Sequence, residues 1–593
     1  MSKWMVSAKK ADFEKIAETF QISPVLARLL VNRGLTTERE ISYYLEGKMA
    51  DLHAPALLPD AEKAAGILRD KIHAGKKICI IGDYDVDGIC ASHILSHVLQ
   101  RLGADVETML PDRITDGYGM NQRMVTEACT RGVDTILTCD NGIAASVPIK
   151  VAKQLKLTVI VTDHHEVPFE ITQDGERKQI LPPADAIVNP KVISEEGVYP
   201  FPEICGALVA YKLMDLLMKQ MLVGDREDIL RSLSPFAAMA TICDVMPLVS
   251  ENRIIVKEGL REMPKTDNAG LQALLEVTEL NGKEISAYHT GFILGPCLNA
   301  SGRLDNAIRA FSLFHTKTRE EALKAAQELK DLNDSRKSMT LKGVELAEKS
   351  IEAGHLLENN VLVVYLPSTH ESLAGIIAGR LKEKYSCPVF VLTDAEDGLI
   401  KGSGRSIESY DMYAELSAVS DLFVRFGGHK MAAGLTLEKK NMAQFIKRIN
   451  ENCTLTPADM EAVIHIDMEL PPGLFTIETV KEFAKLEPCG KENERPVFAT
   501  RDLLIREIRI MGKTRNVAKL LCRDQTGKNV ECMYFSDPSG LEFTLDNAFG
   551  EGTFERLLLG SGTQVRVKMA FYPGINEWRG EENLQFVIVD LQP

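Results

Sequence analysis

Two textures of hydrophobic and polar positions alternate through the first half of the chain. Four β-branched runs, "KICIIGD", "DTILTCD", "LTVIVTD" and "DAIVNP", each rise into a polar end. Between them lie helical patterns, such as Ile94, Leu95, Val98, Leu99 and Leu102 on one face, with Gly103 as a C-cap. This is the βαβ rhythm of a parallel sheet, whose ligands collect at the carboxyl ends of the strands. Three of the four runs end in Asp. A charged segment from Thr318 to Ala353 has helical character without a strand pattern and reads as a connecting helix. A second α/β block follows, and from about Ala458 short strands with turn signals describe a small β-barrel.

The pattern predicts five parts: an N-terminal helical segment packing on the core (1–70), a parallel-sheet α/β domain (71–317), the connecting helix (318–353), a second α/β domain (354–453) and the barrel (454–593). A chain of 593 residues is too long for a single core, which agrees. No apolar run approaches the ~18 residues of a membrane span. The N-terminus lacks a signal-peptide apolar region, so no membrane partner and no export are expected. Twelve scattered cysteines without a CxxC suit a reducing, cytoplasmic location. The net charge of −15 means that a nucleic-acid partner would need a local basic groove.

The candidate chemistry is acidic. "DYDVDG" crowds Asp83, Asp85 and Asp87 before Gly88. A calcium loop fails, because its twelfth position would be Ile94 and a strand leads in where a helix is needed. Asp140 in "LTCDNGI", His164 and His165 in "VTDHHE" and Asp244 in "ATICDVMPL" complete the set. A lone Asp at a strand end is ordinarily a helix cap or turn residue. Joint occurrence at successive strand ends raises this set above that reading. Carboxylates sharing one crevice repel, and divalent cations are the usual remedy. Carboxylate and imidazole without thiolate favour Mn²⁺ or Mg²⁺, and two such ions can activate a water against phosphorus. His93 and His97 lack the Glu of HExxH and read as helix-face residues.

"DYDVDG", "DNG", "DHH" and "ATICDVMPL", in this order, resemble the four motifs of the DHH phosphoesterase superfamily. "GPCLNASGRL", "SGRS" (403–406), "FGGHKMAAGL" (426–435) and the barrel's "LEPCGKENERPVF" are similar to its RecJ branch of single-strand-specific exonucleases. The resemblance spans nearly the whole chain. It implies a DHH domain, a DHHA1 domain and an OB-type barrel. It also implies a pair of divalent cations, Mn²⁺ or Mg²⁺, held by Asp85, Asp87, Asp140, His164 and Asp244, with Asp140 bridging. Asp83 and Asp163 would orient ligands from behind, and His165 would contact the scissile phosphate. The implied activity is 5′→3′ hydrolysis of single-stranded DNA to 5′-mononucleotides in recombination and repair. A single-strand-binding protein and a RecQ-type helicase are the implied partners.

A 5′ end needs a phosphate pocket, and Arg113, Arg303, Ser403 and Arg405 match the family's. Arginine suits the task because its planar fork donates paired hydrogen bonds. Glycines beside Arg303 and Arg405 are expected to permit close ligand approach. Gly427 and Gly428 are expected to free backbone N–H groups for phosphates, with His429 nearby. Residues 501–524 carry seven Lys/Arg against three Asp/Glu, making Lys513, Arg515 and Lys519 candidate DNA contacts. Trp578 and Phe586 are candidates for base stacking, although a barrel aromatic is more often core. Two features depart from the family pattern: Ser372 replaces a glycine in "HESLAGIIA", and "RNVAKL" lacks a common histidine. The alternatives are a DHH phosphodiesterase on short oligoribonucleotides or cyclic dinucleotides, and a non-catalytic replication scaffold.

Overall fold

The structure, a computed structural model, describes residues 2–113, 115–172, 174–194, 197–395, 398–512, 515–578 and 580–593. Two compact units emerge: Lys48–Thr456 with Gly490–Glu492, and Met1–Gly47 with Pro457–Cys489 and Asn493–Pro593.

The first unit opens on a parallel sheet of β1 (Ile78–Ile81), β2 (Val106–Met109), β3 (Thr135–Cys139), β4 (Thr158–Thr162) and β5 (Ala186–Val188). Its order is β2-β1-β3-β4-β5, all parallel. The chain leaves β1 in one direction for β2 and returns to its other side for β3. The strand ends therefore part between β1 and β3, where such sheets hold their ligands. Helices α1 (Val86–Arg101), α2 (Gly206–Gln220) and α3 (Arg226–Cys243) pack together, and Ile94, Leu95, Val98 and Leu99 are fully buried as the periodicity requires. A helical ridge follows: Ala287–His289, one π-helical segment over Thr290–Leu294, then α4 (Gly295–Leu304). The connecting helix is α5 (Arg319–Ala353), capped by the Thr318 hydroxyl, which accepts from Glu321 N. It lies tightly on α6 (Ala374–Tyr385): a Cβ on Gly343 would stand 2.4 Å from Ile377 Cδ1.

The second sheet comprises β6 (Leu362–Tyr365), β7 (Val389–Asp394), β8 (Leu399–Arg405), β9 (Phe423–His429) and β10 (Ala432–Glu438), in the order β9-β10-β8-β7-β6. Only the β6–β7 pairing is parallel. Strand alternation on β8 places Lys401, Ser403 and Arg405 on one face.

In the other unit, β11 (Phe498–Met511), β12 (Val517–Asp524), β13 (Asn529–Tyr534), β14 (Val565–Trp578) and β15 (Glu581–Gln592) run β11-β12-β13-β15-β14. Pairing of β11 with β14 closes the barrel. Phe475, Phe498, Phe571 and Phe586 fill its interior, so Phe586 is core and does not stack on bases. The side chain of Trp578 lies outside the described residues. The helical segment expected over 1–70 divides. Lys3–Val6 pairs in parallel with Val463–Ile466, and the apolar faces of Pro24–Asn32 and Glu38–Glu46 join the barrel's core. From Lys48 onward the segment packs on the parallel sheet's core, chiefly through Ala61–His73, whose Ala64, Ala65 and Leu68 face that way. Among the described residues, no helix is long and apolar enough to cross a membrane.

One buried ion pair braces the first unit. Lys212 Nζ lies 2.7 Å from Glu251 Oε2 and donates to His53 O, while Tyr199 OH donates to Glu251 Oε1. Lys212→Met would leave the Glu251 charge buried and uncompensated. Chemical denaturation should show a loss of about 3–5 kcal/mol, and much of it should return in the Lys212→Met, Glu251→Gln double variant.

Candidate metal centre and phosphate cavity

The crowded aspartates take distinct positions at the end of β1. Asp85 caps α1, accepting from Asp87 N and Gly88 N. The cap reading and the site reading thus both hold for it. Gly88 has no alternative, because a Cβ there would stand 2.6 Å from Asp83 backbone atoms. Asp87 is fastened by the first turn of α2, whose Gly206 N and Ala207 N donate to its two oxygens at 2.6 and 2.7 Å. The N-terminus of α2 therefore directs its positive end at this carboxylate, as that of α1 does at Asp85. Asp140, after β3, holds φ at 59°, a conformation unusual for a non-glycine residue. Asn141 fixes that turn by donating to Ile81 O and Cys139 O and accepting from Met120 N. Asp244 caps the C-terminus of α3.

These turns converge on a small volume. His164 Nε2 stands 3.1 Å from Asp140 Oδ1, 3.5 Å from Asp87 Oδ2 and 3.6 Å from Asp244 Oδ2. Three groups have ligand atoms mutually within 4.8 Å: Asp140–His164–His165, Asp87–His164–Asp244 and Asp83–Asp85–Asp140. Asp140 belongs to two of them, as a bridging position requires. Asp83 stands among the converging carboxylates. Burial is the main reason that the Asp83, Asp85 and Asp140 carboxyls are raised above the usual range, with like charge from their neighbours adding to it. Asp244 is pushed up to about 8 by burial and then by Asp87 and Asp85.

The decisive detail is atomic. Asp83 Oδ2, Asp140 Oδ1, His164 Nε2 and Asp244 Oδ2 are all buried without a hydrogen-bond partner. Buried polar atoms are ordinarily satisfied, and these unsatisfied ones face one another. A cluster of facing carboxylate oxygens around one imidazole nitrogen fits divalent cations.

Asp163 lies buried beside the two histidines. Its Oδ1 accepts from His164 N and His165 N and pairs with His165 Nδ1 at 2.8 Å, while Oδ2 accepts from Ile143 N. Burial works against charge on His165, but Asp163 outweighs it, with help from Asp244 and Asp87, and holds the imidazole up to about 9. Tyr118, which sequence reasoning missed, donates to Asp140 O and lies 3.1 Å from His165 Nε2.

A cavity of about 470 Å³ brings together Arg113, Arg303, Ser403, Arg405 and Gly427, with Tyr84 as one wall. The Arg113 guanidinium lies over the Tyr84 ring at 4.8 Å. Arg303 Nη1 donates to Ser372 O, so the residue that departs from the family pattern serves through its backbone. Burial and neighbouring cations lower the proton affinity of Arg303 and Arg405, in a cavity whose charged lining is mostly cationic. Arg425, Lys401 and Glu371 also line it, and strand alternation on β8 was the signal that could have revealed Lys401.

Gly428 and His429 are not among the cavity's lining residues. Gly428 has φ 143° and a Cβ there would stand 2.4 Å from Ala432 O, so it serves the β9–β10 hairpin, while His429 Nδ1 accepts from Met431 N. Gly302 and Gly404 do not open space for a ligand. They let the backbone pack on Tyr84 O and on Met412 and Phe390. The glycine that matters to the cavity is Gly375, where a Cβ would stand 2.8 Å from both Arg405 Nη2 and Ser403 Oγ. In the barrel, Lys519 pairs with Glu531 at 2.7 Å and Arg515 lies exposed in a turn, while Lys513 is outside the described residues.

Known proteins share this arrangement. Family models match for the DHH family N-terminal domain over residues 77–241, the DHHA1 domain over 358–454 and the RecJ OB domain over 466–590. The single-stranded-DNA-specific exonuclease RecJ of Bacillus subtilis is 33% identical over 99% of this chain and 70% of its own length. That of Salmonella typhimurium is 32% identical over 96% of each. The chain belongs to the RecJ exonuclease family. A crystal structure of a RecJ from Thermus thermophilus in complex with Mn²⁺ superposes with a TM-score of 0.80 at 27% identity, covering 100% of this chain and 79% of that one.

Removing one buried like charge should stabilise the metal-free fold. Asp140→Asn keeps a residue tolerant of positive φ. With chelator present it should raise stability by about 1 kcal/mol. Adding Mn²⁺ should raise the melting temperature of the unaltered chain and leave that of the variant nearly unmoved.

Proposed function

We propose that this chain is a metal-dependent exonuclease that degrades single-stranded DNA from a 5′-phosphorylated end to 5′-mononucleotides. The observation that carries the proposal is the set of facing, unsatisfied ligand atoms beside an anion-poor arginine cavity. Asp85, Asp87, Asp140, His164 and Asp244 would hold two divalent cations, Mn²⁺ or Mg²⁺, with Asp83 beside them. Bound there, the cations would supply Lewis acidity and an activated water for in-line displacement at phosphorus.

The protein's own groups handle the rest. Arg113, Arg303, Ser403 and Arg405 bind and orient the terminal phosphate, which fixes polarity because the opposite end of a strand offers no such dianion. Asp163 aims His165 and keeps a proton on it, so the imidazole can donate to a scissile phosphate oxygen. Tyr118 restrains both His165 and the Asp140 turn. Relatedness to RecJ enzymes, together with twelve free cysteines, supports a cytoplasmic role in recombination and repair. There, a single-strand-binding protein and a RecQ-type helicase would present the strand.

A Mn²⁺-dependent time course on 5′- and 3′-labelled single and double strands tests the reading. Label should leave the 5′ end of single strands as mononucleotide. Asp140→Ala should abolish hydrolysis while strand binding largely survives, and an active Asp140→Ala enzyme would overturn the assignment. Gly375→Ala should displace Arg405 and erase the preference for 5′-phosphate over 5′-hydroxyl ends, a change of about tenfold or more in kcat/KM.

A further inference from the structure

The helical ridge that ends in Arg303 carries an unassigned feature at its other end. Tyr288 and Phe292, one turn apart, stack with ring centroids 5.1 Å apart and planes at 25°. Both are open to solvent, 56% and 68% exposed. An ordinary intrahelical aromatic pair would account for their contact, but not for two large apolar faces held out in water. The π-helical segment Thr290–Leu294 contains Phe292, and such insertions concentrate at functional sites.

Position supplies the rest. At the aromatic end, the ridge is pressed against the last turn of α3. Cys243 Sγ lies 3.8 Å from Thr290 O, and a Cβ on Gly295 would stand 2.3 Å from that sulfur. Asp244 is the next residue. At the far end, a Cβ on Gly302 would stand 2.5 Å from Tyr84 O, and Asp85 is the next residue. The two anchors thus flank the acidic centre. Phe292 and Arg303 are eleven residues apart, on the order of 16 Å along the ridge.

We propose that Tyr288 and Phe292 form a stacking platform for bases of the strand that lie 3′ of the scissile linkage. This rests on the exonuclease reading above. A strand with its 5′-phosphate on Arg303 crosses the acidic centre and reaches the platform a few nucleotides later. Base–aromatic stacking tolerates any sequence, as an enzyme that degrades single strands without regard to sequence requires. The platform is a positioning element and takes no part in the chemistry.

The test compares a 5′-phosphorylated dinucleotide, too short to reach the platform, with a strand of about a dozen nucleotides, using the full chain with Mn²⁺. The Tyr288→Ala, Phe292→Ala double variant should raise KM for the long strand about tenfold or more. Its kcat and its dinucleotide turnover should change little, and Phe292→Trp should restore the long-strand KM. A long strand with abasic sites a few positions from its 5′ end should lose the same advantage on the unaltered enzyme. Quenching of 2-aminopurine placed at those positions should disappear in the double variant. Equal loss on both substrates, or no loss on either, would overturn the platform. An unaltered chain inactive on both substrates would instead overturn the exonuclease reading.

Discussion

Mutual repulsion among buried carboxylates is the constraint around which the first unit is built. Burial and then like charge, Asp87 among its sources, raise the proton affinity of Asp85, Asp140 and Asp244, and Asp83 is raised in the same way by burial and Asp85. No lysine or arginine makes an ion pair with any of the five among the described residues. What the protein supplies is directional and partial. The N-terminal turns of α1 and α2 donate backbone hydrogen bonds to Asp85 and Asp87. These bonds fix orientation without cancelling charge. The remaining deficit is the ground on which cations bind, and the positive φ of Asp140 belongs to the same balance, strain sustained by Asn141 so that one oxygen can serve two sides.

Much of this was legible in the chain. The strand runs fixed β1, β3 and β4 with their acidic ends, because fully buried parallel strands leave a strong apolar signature. The connecting helix began where Thr318 offers a cap and ended near Ala353. Asp140 and His164 stand out by type and position after apolar strand runs, whereas Asp244 ends helix α3.

The rest was hidden because it depends on contacts distant in sequence. Nothing near Tyr118 announces that its hydroxyl reaches the Asp140 turn. Glycine is ambiguous for the same reason. Gly302, Gly404 and Gly428 serve internal packing, whereas Gly375, unremarkable in its own segment, gives Arg405 room to enter the cavity. The N-terminal helices carry apolar faces suited to any core, and only the pairing of Lys3–Val6 with Val463–Ile466 shows which core they join.

That pairing has a temporal consequence. Synthesis runs from the amino end, and domains fold as they emerge. Lys48–Thr456 can complete its own core while the ribosome is still working. Met1–Gly47 cannot, since its partners lie beyond Pro457. Its apolar faces must wait until residues beyond 457 emerge. Residues 1–47 are thus made before residues 48–456 yet find shelter after them, and the nascent chain depends for that interval on not sticking to anything else.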